Sequence, residues 1–250
     1  MNFDALIQSA PEVAIPALPE LPSGDPRESF RILLDFLKVG LSMAPIEEAW
    51  QERRVAVFKP AYKAKFKSRK FNQIKALTEF PEIADHFDVE GKQLVEAYVA
   101  RKREVEDLLV ELAEQITPTP GDTWHKARTV NSTSYNTQGY GAHMYARRSA
   151  ESEVPDFAAS GLEAEVRVEQ WDDRPDYKPL YGKRSGIADY VVWVKADPLD
   201  IEITRRRPGM GLKDWLQWMW DRGCNPRVLN PYLPHGLEQE LGVSVGGWTP

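Results

Sequence analysis

Gly186 to Arg207 reads GIADYVVWVKADPLDIEITRRR, and the fold and the chemistry of the C-terminal half turn on it. Alternation and β-branched residues predict two strands, about 187–194 and 199–205, around a Lys195-Ala196-Asp197-Pro198 turn, giving a β-hairpin over 187–205. With an even loop centred between Ala196 and Asp197, Asp189 falls opposite Thr204 and diagonal to Glu202. All three then share one sheet face, about 5–8 Å apart. Two acids so placed suit a divalent cation. A solvated hairpin edge would carry the same acids, and Asp200 shares the parity of Glu202.

Upstream, Leu162–Trp171 alternates as LEAEVRVEQW and predicts a further strand. Downstream, Leu212, Trp215, Leu216 and Met219 recur with helical period, predicting a helix over 212–222 capped by Gly223. Trp215, Trp218 and Trp220 cannot all lie on one face of it, which points to a partner-facing tryptophan. Pro226–Leu229 reads as a last short strand. The polar segment 129–149, with Tyr135, Tyr140 and Tyr145, reads as strands or a functional loop.

The order strand, strand with Asp189, strand with Glu202, helix, strand resembles the PD-(D/E)xK nuclease superfamily. The wording GIADYVVWV followed by LDIEITRR is similar to the nuclease domains of type I restriction enzymes, over residues 162–230 only. In that family two acids bind magnesium, and a lysine two positions after the second acid orients or activates water. The resemblance implies Asp189 and Glu202 as Mg²⁺ ligands. Thr204 occupies the lysine position and cannot lower the pKa of water or stabilise developing charge. Lys183 or Arg184, just before the strand, or Arg206, which shares the parity of Thr204, would have to supply that cation. The resemblance thus implies either a magnesium-dependent phosphodiesterase or an inactive relative.

The N-terminal half is helical. Residues 1–26 carry five prolines and read as an extended arm laid on its own domain or on a neighbouring subunit. Asp25-Pro26-Arg27-Glu28 has the form of a capping box and starts a helical region over 27–117. Within it, helices are expected near 45–58, 61–80 and 92–116, with turns at Pro60 and Pro81–Val89. Thr117-Pro118-Thr119-Pro120-Gly121 ends the region, and an α+β domain occupies 122–250. The fold class expected is α+β, a helical region followed by a mixed sheet with a flanking helix.

The chain has 250 residues and a formal charge of −6, but its charge is segregated. Arg53, Arg54, Lys59, Lys63, Lys65, Lys67, Arg69, Lys70 and Lys75 lie within 53–75 without one acid, so these nine cations leave −15 on the remainder. A local positive field of this kind attracts polyanions despite the acidic total. Arg53, Arg54, Lys59, Lys63, Lys67 and Lys70, with Arg206, are the candidate contacts to DNA or RNA. Phe58, Tyr62 and Phe66 form a neighbouring stripe whose i, i+4 spacing suits core packing better than base stacking.

Cys224 is the only cysteine, which excludes an internal disulfide and a cysteine zinc cluster and fits a reducing compartment. His86, His125, His143 and His235 lack metal-ligand spacing. No apolar run approaches the roughly 18–20 residues of a membrane span, and the N-terminus lacks a basic segment followed by an apolar run. A cytoplasmic protein is expected. A second reading, from the proline-rich arm and surplus tryptophans, is a structural subunit of a viral or phage head or tail, located in the virion and joined to other subunits through the arm and the exposed tryptophans.

Overall fold

The computed structural model describes residues 2–67, 70–132, 140–170 and 188–221. The protein is α+β: an N-terminal helical region precedes a small sheet with flanking helices. Two compact units divide the chain, residues 1–112 and 113–250.

In the first unit, α1 (Phe3–Ser9) is capped by Asn2, whose side chain accepts from the Ala5 N–H at 3.2 Å. The expected arm is therefore helical at its start. Phe3, Leu6 and Ile7 pack on a cluster of Val57, Phe58, Ala61, Tyr62, Phe80, Ile83 and Phe87. Residues 11–22, rich in proline, follow without regular structure. Arg53 fixes the start of this stretch by donating to the carbonyls of Ala10 and Pro11 (2.8 and 3.0 Å), and Ser29 fixes its end by donating to Pro22 O at 3.2 Å. Both ends are held by the arm's own unit.

The expected helix start at Asp25 is present. Its carboxylate accepts from the Glu28 N–H at 3.0 Å, Pro26 takes the first helical position, and α2 spans Pro26–Asp35. Two expected breaks are absent. Helix α3 runs unbroken over Met43–Phe66 through Pro60. An interior proline costs about 3 kcal/mol, but Val57 and Phe58 before it and Ala61 and Tyr62 after it are all buried, and that shared apolar face holds both halves in one helix. After α4 (Gln73–Glu79), α5 spans Pro81–Gln115, because Pro81 opens a helix where a turn over 81–89 is expected.

The second unit contains β1 (Pro120–Asn131), α6 (Tyr140–Glu151), α7 (Val154–Ala159), β2 (Glu163–Gln170), β3 (Ala188–Ala196), α8 (Pro198–Arg206) and α9 (Leu212–Asp221). The strands are ordered β1-β3-β2 and pair antiparallel throughout, where a mixed sheet is expected. Ala188, Tyr190, Val192, Val194 and Ala196 line one face of the central strand and pack with Val130, Ala146, Ala150, Phe157, Leu162 and Ile201. Segment 140–151 is helical because Ala146 and Ala150, one turn apart, bury on this core.

The expected hairpin over 187–205 does not form. Its first strand is β3, but residues 198–206 are helix α8. Asp197 is the N-cap, accepting from the Leu199 N–H at 2.8 Å, and Pro198 fills the first helical position. The buried residues Asp200, Ile201, Ile203 and Thr204 fall on one helical face. Dense β-branching imitates a strand, and the capping pair decides otherwise. The expected Pro226–Leu229 strand and the Gly223 cap lie outside the described residues.

Asp197→Ala should lower the unfolding free energy by about 1 kcal/mol through loss of this cap. Urea denaturation checks the cost, and secondary chemical shifts of residues 199–205 should be helical in the wild type.

Candidate functional site

The expected metal pair is separated by the sheet. Asp189 alternates with the core residues Ala188 and Tyr190 and so belongs to the other face of β3, whereas α8 packs on the core face through Ile201. Asp189 is 7% exposed and accepts from Asn131 Nδ2 at 2.5 Å, across the β1 pairing Asn131↔Asp189. Glu202 pairs with Arg206 of its own helix at 2.5 Å, which engages the expected nucleic-acid contact Arg206 as well. Thr204 is buried and donates to the Asp200 carbonyl at 2.8 Å, a bond internal to the helix. Asp200 in turn accepts from the Thr119 N–H at 3.2 Å. Asp189 and Glu202 thus do not fit a shared Mg²⁺. The physical reason is the turn of chain at Asp197-Pro198, which converts the second strand of the expected hairpin into a helix. Lys183 and Arg184 lie outside the described residues. Among the described residues, no three His, Cys, Asp or Glu side chains form a cation-binding group.

The face of the sheet that carries Asp189 has a different organisation, one that alternation alone does not suggest. Glu169 of β2 lies directly across from Asp189 and pairs with Lys126 at 2.9 Å. Arg167 pairs with Glu165 at 2.5 Å, and its guanidinium lies 4.8 and 4.9 Å from the Trp124 and Trp193 ring centroids. Lys195 pairs with Glu163 at 3.6 Å. Each of these three cations is matched by a glutamate of β2, so they add no surplus positive charge to attract a phosphate backbone.

Apart from Arg69, which lies outside the described residues, the cations of the basic segment 53–75 sort into two groups. Arg53 is half-buried against Glu90 (2.7 Å) in addition to its bonds to the arm. Arg54 stacks on Trp50, 4.6 Å from its centroid, and donates to Gln51 at 3.2 Å. Lys65 pairs with Glu79 at 2.7 Å, and Lys75 sits 4.3 Å from the Phe66 centroid. These four are engaged within the fold's own contacts, Arg53 and Arg54 half-buried and Lys65 and Lys75 exposed. Lys59, Lys63, Lys67 and Lys70 are exposed. From residue 56 to residue 67, the exposed face that Lys59, Lys63 and Lys67 share otherwise holds Ala56, Pro60 and Ala64, with no acid. Phe58 and Tyr62 are buried and Phe66 stacks on Tyr62 at 4.7 Å, so the aromatic stripe is core, as its spacing predicts.

Of the tryptophans on α9, Trp215 and Trp218 are half-buried. Among the described residues no helix is long and apolar enough to cross a membrane. Against known proteins, the chain matches no family model, no curated protein and no solved structure.

The Lys65 ammonium, hydrogen-bonded to Glu79, holds that carboxyl below its ordinary range. A depressed folded-state value means that the pairing contributes above the unfolded-state pKa and is lost as pH falls through the folded one. An NMR titration should give Glu79 a midpoint below that of an ordinary glutamate, and Lys65→Met should raise it back.

Proposed function

We propose that the protein is nucleic-acid-associated and that it contacts the phosphate backbone through the exposed lysines at the C-terminal end of α3. The observation that carries this reading is the acid-free stripe of Lys59, Lys63 and Lys67, set apart from neighbouring cations that Glu90, Glu79 and Trp50 engage. Lys59 to Lys67 spans about 12 Å of helix at roughly 1.5 Å per residue, the axial rise of three to four nucleotides of one strand. Contacts of this kind neutralise phosphates and release counterions, so they supply affinity without sequence preference. The neighbouring aromatics are engaged in the core, which leaves the bases without a stacking platform on this face.

Binding, not cleavage, is the activity this geometry supports. Phosphodiester hydrolysis in the manner of the resembled nucleases would require Asp189 and Glu202 to meet, and the sheet lies between them. A head or tail subunit joined through its arm has weaker support, because the arm's first apolar residues, Phe3, Leu6 and Ile7, are spent on its own unit.

The triple variant Lys59→Glu, Lys63→Glu, Lys67→Glu should bind duplex DNA much more weakly than the wild type. Its log–log salt slope should fall by about 0.9 for each phosphate that is no longer neutralised. Fluorescence anisotropy across a salt series reads both quantities. Equal affinity and slope in the folded variant, or no binding of DNA or RNA by the wild type at low salt, would overturn the proposal.

A further inference from the structure

The three consecutive arginines that end α8 have three different fates. Arg205 faces Glu153 at 3.5 Å and donates to the Ala127 carbonyl at 3.2 Å. Arg206 is held by Glu202. Arg207 uses its backbone N–H to cap the helix, donating to the carbonyls of Ile203 and Thr204 at 3.2 Å each. Its guanidinium makes no ion pair or hydrogen bond among the described residues. Instead it lines a recess of about 320 Å³ together with Glu114, Asp156, Ser160, Thr204 and Met210.

One wall of this recess is tied to another. The Met210 N–H donates to Asp156 Oδ1 at 2.9 Å, which ties the Pro208-Gly209-Met210-Gly211 loop to α7. Gly209 lies so close that a Cβ there would sit 3.4 Å from the same oxygen. Asp156 Oδ2 and the Glu114 carboxylate have no hydrogen-bond or ion-pair partner among the described residues. Arg207 pairs with neither acid among the described residues; it and Asp156 are half-buried, and Glu114 is exposed. The recess therefore holds one cation and two carboxylates apart. Helices α7 and α8 also end at its wall, and helix C-termini carry partial negative charge.

We propose that this recess binds a small zwitterion of the α-amino-acid class. A guanidinium matches a carboxylate in bidentate geometry, and the two acids and the helix ends match an ammonium group. An anion alone would gain Arg207 but face two carboxylates. A cation alone would leave Arg207 unmet in a half-buried position. A zwitterion satisfies both, and the volume lies at the small end of the roughly 300–1,000 Å³ typical of small-ligand sites. The Ser160 hydroxyl and the Met210 and Pro208 side chains remain to meet a short substituent. The recess belongs to the second unit and the inference does not rest on the lysine stripe of the first.

Isothermal titration of the full chain with L-alanine, L-glutamine, propionate and ethylamine tests it. At least one amino acid should bind saturably at one site, with propionate and ethylamine about tenfold weaker or more. Arg207→Met and Asp156→Asn should each weaken the amino acid by about tenfold or more with unchanged circular dichroism, since the amide oxygen introduced by Asp156→Asn would still accept from the Met210 N–H. The triple lysine variant should bind it normally. Saturable binding of neither amino acid, equal binding of propionate or ethylamine, or undiminished binding by Arg207→Met would each overturn the assignment.

Discussion

The burial of β3 on both faces is the constraint from which the second unit is built. Residues Ala188 to Val192 are all buried, and strands on both sides satisfy the backbone of the segment. A strand so enclosed needs a helical layer over one face, and α6, α7 and α8 supply it through Ala146, Ala150, Phe157 and Ile201. It also buries a carboxylate, Asp189, which costs free energy unless a donor is at hand. Asn131 provides that donor from the paired position on β1. The same sheet that shelters Asp189 separates it from Glu202, so the architecture that makes the acid look functional in the sequence is what keeps it from a second ligand.

Charge is used in two distinct ways. Many cations are matched internally: Arg53 with Glu90, Lys126 with Glu169, Arg167 with Glu165, and Arg128 and Arg205 with the shared Glu153 that joins β1, α7 and α8. Apart from the half-buried Arg53–Glu90 pair, these are more exposed and contribute little each, so their importance lies in neutralising surfaces that would otherwise attract polyanions. Against that background two groups stand out. Lys59, Lys63 and Lys67 face solvent along one helix, and Arg207 faces a recess. The first arrangement suits an extended anion and the second a small ligand with both charges, because one is an open stripe and the other a recess lined by the half-buried Asp156 and the exposed Glu114.

Several features are legible in the amino-acid order alone. The capping box at Asp25, the aromatic core stripe of α3, strand β2 and the helix beginning at Leu212 each follow from spacing that one local rule explains. Strand β1 is harder to see: it is an edge strand with two register irregularities and a half-exposed burial pattern, so it shows no clean alternation. Pro60 and Pro81 mark breaks by local preference, and packing on both sides of the first and the tolerance of a helix start for the second override that preference. The segment Leu199 to Arg205 misleads for a related reason. Ile201, Ile203 and Thr204 have strand propensity, whereas the Asp197-Pro198 cap and the burial of 200, 201, 203 and 204 on one face require a helix.

The sequence by itself determined the α+β class, the helical N-terminal region, the burial of Phe58 and Tyr62 and the concentration of cations between Arg53 and Lys75, because composition and periodicity are local properties. Only the tertiary structure decided which of those cations are available. Glu90 and Glu79 lie 37 and 14 residues along the chain from Arg53 and Lys65, and their arrival is what engages these two cations, whereas Trp50 meets Arg54 within one helix. It also decided that Asp189 and Glu202 lie apart while Arg207, Asp156 and Glu114 share a recess. In the second unit, contacts between residues far apart in sequence are set by the packing of β3 against its helical layer, and that packing leaves no signature at the spacing of any one pair.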